Sequence, residues 1–156
     1  MTKILLSLFI FLFLINHLLG QTDKDSLEVK LKIVSGKEKV DVLAELTEIY
    51  SENTPKKAID YGKQALESLQ RFPDDEIEFK ALYALSVAYK ELHEYKTALE
   101  YGEKARELAE KMGDNEGLSK ALINNGGINY ELSEFYLAVE NYFKAIEIFK
   151  EIGNDQ

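Results

Sequence analysis

The sequence contains no cysteine. It therefore has no disulfide framework, no thiolate nucleophile and no thiolate ligand for a metal. Histidine is almost as scarce, with only His17 and His93 in 156 residues, and no His, Cys and Asp fall together at metal-ligand spacing. Positive charge is in deficit, with 19 Lys and Arg against 28 Asp and Glu and a formal net charge of −9. A nucleic-acid binder concentrates positive charge to displace counterions from phosphate, and docking on anionic lipid makes a similar demand. Neither partner is expected. Proline occurs twice, at Pro55 and Pro73, and no glycine-rich loop follows a strand as a phosphate cradle would require. The longest apolar run, Ile4–Ile15, is broken only by Ser7 and falls well short of the roughly 20 residues of a comfortable membrane span.

That run has the length of the apolar core of a signal peptide, with Lys3 before it and the more polar Asn16-His17 after it. Cleavage is expected after Gly20, which makes the chain exported, either periplasmic or secreted. Left uncleaved, the segment would be a membrane anchor. The remainder is ordinary folded-protein composition, 46% hydrophobic and 30% charged.

Beyond the leader the pattern is helical throughout. Residues 21–36 are expected to form a linker with a short leading helix over Ser26–Val34. Helices follow over Lys37–Ser51, Pro55–Arg71, Glu76–Leu92, Tyr95–Met112, Asn115–Leu132 and Phe135–Ile152, from apolar stripes at helical period. The octet AIDYGKQA at 58–65 returns as ALEYGEKA at 98–105 and as AVENYFKA at 138–145, an interval of 40 residues each time. Pro73, Gly113 and Gly153 fall in register and are expected to stop the second helix of each pair. These are repeats, in units of about 37–73, 74–113 and 114–153. One helix pair cannot bury both of its apolar stripes, so such pairs stack. Ala58, Ala98 and Ala138, with Ala65, Ala105 and Ala145, recur where helix backbones must come close.

On these residues the chain resembles the tetratricopeptide repeat family over about residues 37–153. In ALINNGGINYELSEFYLAVENYFKAIEIF, the residues Leu122, Gly126, Phe135, Ala138, Tyr142 and Ala145 stand at the family's packing positions. The second unit matches with Leu82, Leu85, Tyr89, Tyr95, Ala98 and Ala105, although Ser86 replaces the usual glycine. The first unit is one residue shorter between Tyr50 and Ala58. The resemblance implies an all-α, right-handed helical-repeat solenoid of about three helix-turn-helix units. It also implies a ligand groove lined by the first helix of each pair. Carried over, that lining is Glu48 and Ser51, then Tyr83, Val87 and Lys90, then Ile123, Asn124, Gly127 and Tyr130. Gly127 stands where the chaperone-tail-binding members carry Asn, so their clamp is not expected.

A second surface lies on the last helix. Tyr136, Leu137 and Phe143 occupy positions where the second unit has Lys96, Thr97 and Glu103. Such an apolar end predicts further repeats beyond it, a docked partner, or a second copy of the chain. His93 is read as a solvated turn residue, and an open helical stack offers no enclosed pocket for paired carboxylates. The expected function is an exported, non-catalytic scaffold for a peptide or protein partner, with no cofactor and no metal. The alternative is the sensory repeat region of a larger bacterial signalling receptor such as a histidine kinase.

Overall fold

The computed structural model describes residues 24–154, so the apolar segment read as a signal peptide lies outside the described residues. Seven helices and no strand occur among them. Helix α1 (24–31) leads into α2 (Gly36–Tyr50), α3 (Pro55–Leu69), α4 (Asp75–Glu91), α5 (Tyr95–Met112), α6 (Asn115–Glu131) and α7 (Phe135–Asn154). Consecutive helices pack pairwise, giving three hairpins, α2–α3, α4–α5 and α6–α7, which stack through α3–α4 and α5–α6. The boundaries have local causes. Pro55 opens α3 in its first turn, where its missing N–H is harmless. Asp74 caps α4 by accepting from Ile77 N at 3.1 Å, and Asp114 caps α6 by accepting from Gly117 N at 2.9 Å. Gly113 ends α5 in the left-handed conformation at φ +69°. The matching Gly153 does not stop its helix: α7 runs through it to Asn154. Thr54 precedes α3 without making a side-chain cap.

The repeated alanines are where the sequence put them, in the crossings. Ala58, Ala65, Ala98 and Ala105 are fully buried, and Ala138 and Ala145 nearly so. Glycine does the same at Gly126, where an added Cβ would lie 2.7 Å from the Tyr142 ring. One apolar cluster threads all three hairpins, joining Val42, Leu46 and Tyr50 to Leu85 and Tyr89, and on to Ile128. Each fully buried Leu or Ile contributes roughly 1.5–3 kcal/mol of transfer free energy.

Helix α1 closes the open end of the first hairpin. Leu27 and Leu31 pack on the same cluster, while Glu28 accepts hydrogen bonds from Tyr50 Oη at 2.8 Å, Tyr61 Oη at 3.1 Å and Lys57 Nζ. The Lys57 bond, followed by the Tyr50 bond, holds the Glu28 carboxyl below the usual carboxylate range. A depressed native pKa means stability that is present above the unfolded value of about 4.3 and is lost as pH falls through the lower native value. Glu28→Ala is expected to cost about 1–2 kcal/mol at pH 7, since two hydroxyls and an ammonium lose a charged acceptor at a partly exposed site. In urea titrations the gap between the two proteins should narrow as pH is lowered toward 3. A gap that does not change with pH would mean that Glu28 contributes by packing alone.

Candidate functional site

Helices α2, α4 and α6 form one layer, with α4 against both neighbours. Helices α3, α5 and α7 form the other layer and do not touch one another among the described residues. On the first layer Tyr83 is the central aromatic. It stacks on Phe79 one turn earlier, with ring centroids 6.0 Å apart. Burial pushes its phenol pKa up, with Lys120 from α6 opposing and Glu52 and Glu48 from the α2 side adding to the rise. Tyr83 therefore sits within the fields of both flanking units. Phe79 and Lys120 were not singled out from sequence, yet both belong to this surface. For Phe79 the signal was its i, i+4 pairing with Tyr83.

Further along the layer, Lys90 Nζ donates to Asn124 Oδ1 at 3.2 Å, Asn124 Nδ2 donates to Ser86 Oγ at 2.7 Å, and Ser86 Oγ donates to the Ala98 carbonyl at 2.8 Å. This chain of bonds joins the second and third units and fixes the Lys90 ammonium. It also consumes the Asn124 carboxamide, which is only 6% exposed. Val87 is buried too. Ser51 is buried with its hydroxyl on the Glu48 carbonyl at 2.8 Å, so it presents nothing to a groove. What the layer does present is half-buried Tyr83 and Lys90, exposed Ile123, partly open Gly127, and Tyr130 at 59% exposure. Tyr130 makes an edge-on contact with Phe135 at 5.5 Å. The arrangement is an aromatic and aliphatic strip with one anchored cation, suited to holding a peptide by side-chain packing and one charge-assisted hydrogen bond.

On the last helix Tyr136 is 81% exposed, Phe143 63% and Leu137 43%. Tyr136 and Phe143 share one outward stripe, whereas Leu137 lies against the space between α5 and α7. His93 and Ser133 close α4 and α6 at φ 60° and 63°, and the His93 ring nitrogen Nδ1 lies 2.7 Å from Tyr95 Oη. Among the described residues no helix is long and apolar enough to cross a membrane.

A family model described as Tetratricopeptide repeat matches residues 49–111. No curated protein matches the chain. Among solved structures, the chain is similar to aspartyl phosphate phosphatase F from Bacillus subtilis, with a TM-score of 0.75 and 20% identity, over 86% of this chain and 39% of that one. It is also similar to PlcR of Bacillus thuringiensis, solved in complex with the peptide PapR7 and DNA. That likeness has a TM-score of 0.69 and 18% identity, and covers 87% of this chain and 52% of PlcR. The chain thus spans about two fifths to a half of these proteins, and at such identity the likeness is one of fold.

Proposed function

From a chain whose residues 49–111 match the tetratricopeptide repeat family model, we propose an exported, non-catalytic scaffold of that family that holds a peptide or protein partner on the α2, α4 and α6 layer. The observation that carries the reading is the strip Tyr83, Ile123 and Tyr130 beside Lys90, whose ammonium is already fixed by Asn124. Ordering these groups before binding reduces the entropy lost when a partner docks. The PlcR likeness supports it, since that protein was solved with a peptide bound.

Panning a displayed random-peptide library against the purified chain is expected to enrich peptides that bind this strip. Their affinity should fall by about tenfold or more when Tyr83→Ala and Lys90→Ala are combined, a loss of about 1.4 kcal/mol or more. Phe143→Glu, on the last helix, should leave it unchanged. No enrichment, or enriched peptides indifferent to the groove changes, would overturn the reading. Export rests on the segment Ile4–Ile15 and its flanks. Recovery of the native protein wholly in the cytosolic fraction would remove that part.

A further inference from the structure

The stacked tyrosine pair that closes each of the first two units is missing from the third. Tyr50 lies on Tyr61 with ring centroids 6.0 Å apart, and Tyr89 lies on Tyr101 at 5.4 Å. A lysine roofs each pair, Lys57 at 4.6 Å from the Tyr50 centroid and Lys63 at 5.9 Å from that of Tyr89. In register, the third unit places Asn129 and Asn141 where Tyr89 and Tyr101 stand, and Glu103 where Lys63 stands. The two rings are replaced by short carboxamides and the cation by a carboxylate. The result is a cleft of about 580 Å³ between α5 and α7, floored by α6 and lined by both asparagines.

Two independent features of the cleft point to a ligand. Asn129 is 3% exposed, and its carboxamide oxygen has no hydrogen-bond partner, which is costly for a buried acceptor. The walls carry five glutamates against Arg106 and Lys144, and both cations are already engaged. Arg106 donates to Glu103 and Glu110 at 2.8 Å each, and Lys144 pairs with Glu140 at 2.7 Å. Glu147 and Glu151 are left without an ion pair among the described residues, beside an apolar lining that includes Leu122 of α6 and Ile148 of α7.

We propose that this cleft receives a cationic amphipathic helix of a partner protein. The helix seats an aromatic side chain between Asn129 and Asn141, and its lysines or arginines face Glu147 and Glu151. The template for this occupant lies one unit earlier, where the chain supplies the aromatic pair and the roofing lysine itself. A helix fits because its apolar stripe meets the apolar lining while its flanking cations meet the free carboxylates of the α7 wall. The surface belongs to the α5–α7 side of the array, so it is separate from the groove proposed above.

The probe is a fluorescein-labelled, acetylated and amidated helical peptide of lysine and leucine with one central tyrosine. It is followed by fluorescence anisotropy with the full chain. Saturable binding that weakens with salt is expected, and a twin peptide with glutamate for lysine should not bind. Asn129→Tyr, which restores the ring of the earlier unit, should weaken binding by about tenfold or more. Should that variant fail to fold, Glu147→Lys combined with Glu151→Lys on the exposed wall of α7 gives the same readout. Tyr83→Ala, in the groove, should leave the affinity unchanged. The proposal is overturned if the native chain does not bind the lysine peptide, if the acidic twin binds equally well, or if the folded cleft variants keep full affinity. Loss of binding on Tyr83→Ala overturns it as well, since that would place the peptide in the groove.

Discussion

Leu85→Ala is expected to lower the urea midpoint of the chain by more than any other single truncation on α4, with a loss of about 2–5 kcal/mol. Leu85 has no exposed surface and belongs to the cluster that joins the first hairpin, through Leu46 and Tyr50, to the second and third. Its branch also fills the space above Gly62 of α3. The truncation removes apolar contact on both sides of the boundary between units, and the surrounding helices cannot collapse into the gap without shifting a whole hairpin. Against a total stability of about 5–15 kcal/mol for a domain, such a loss is a large fraction. In a stack, stability is a sum of unit and interface contributions. Weakening this interface should therefore also broaden or split the single transition followed by far-UV circular dichroism. A midpoint unchanged by Leu85→Ala would mean that the hairpins are held together elsewhere, through the Ser86–Asn124 hydrogen bonds for example.

The architecture was legible because stacking imposes a period that single residues cannot hide. Ala58, Ala98 and Ala138 sit in crossings where nothing larger fits, and a side chain excluded by backbone proximity leaves the same mark in every unit. The helix ends were less legible. Glycine permits a left-handed turn without compelling one, so Gly113 ends α5 while α7 passes through Gly153. Conversely, His93 and Ser133 adopt the left-handed conformation without being glycine, because the N–H of the following residue closes the helix end, Glu94 onto Tyr89 O and Glu134 onto Asn129 O. The candidate site was the least legible part. Asn124, expected in the groove lining, is buried on α6, as are its neighbours Asn125 and Asn129. Asn124 is kept there by Ser86 and Lys90, and Asn125 by Glu103 at 2.8 Å. These bonds span residues far apart in sequence, so only the fold brings the partners together. The exchange of Tyr89 and Tyr101 for Asn129 and Asn141 was written in the register. It acquires meaning only once the tyrosines are known to stack.

Gly62→Ala is expected to destabilise the chain although alanine is the better helix former. Propensity alone favours alanine by about 1 kcal/mol. The added Cβ, however, would lie 2.7 Å from Leu85 Cγ, 2.8 Å from Leu85 Cδ2 and 2.9 Å from Thr47 Cγ2. Neither neighbour has room to retreat. Both are fully buried, and Thr47 is tied by its hydroxyl to the Leu43 carbonyl at 2.7 Å. Overpacking of this kind costs about 1–3 kcal/mol, enough to outweigh the propensity gain at all but its lower end. The same geometry predicts the sign of a coupling. Leu85→Ala removes two of the three offending atoms and opens a cavity beside the new methyl group, so in that background Gly62→Ala should be neutral or stabilising. A double-mutant cycle from urea titrations should therefore show the pair costing less than the sum of its parts, by about 1 kcal/mol or more. Strict additivity would show that α3 and α4 can separate slightly at no cost. Gly62 would then reflect local helix flexibility rather than the close approach of one repeat to the next.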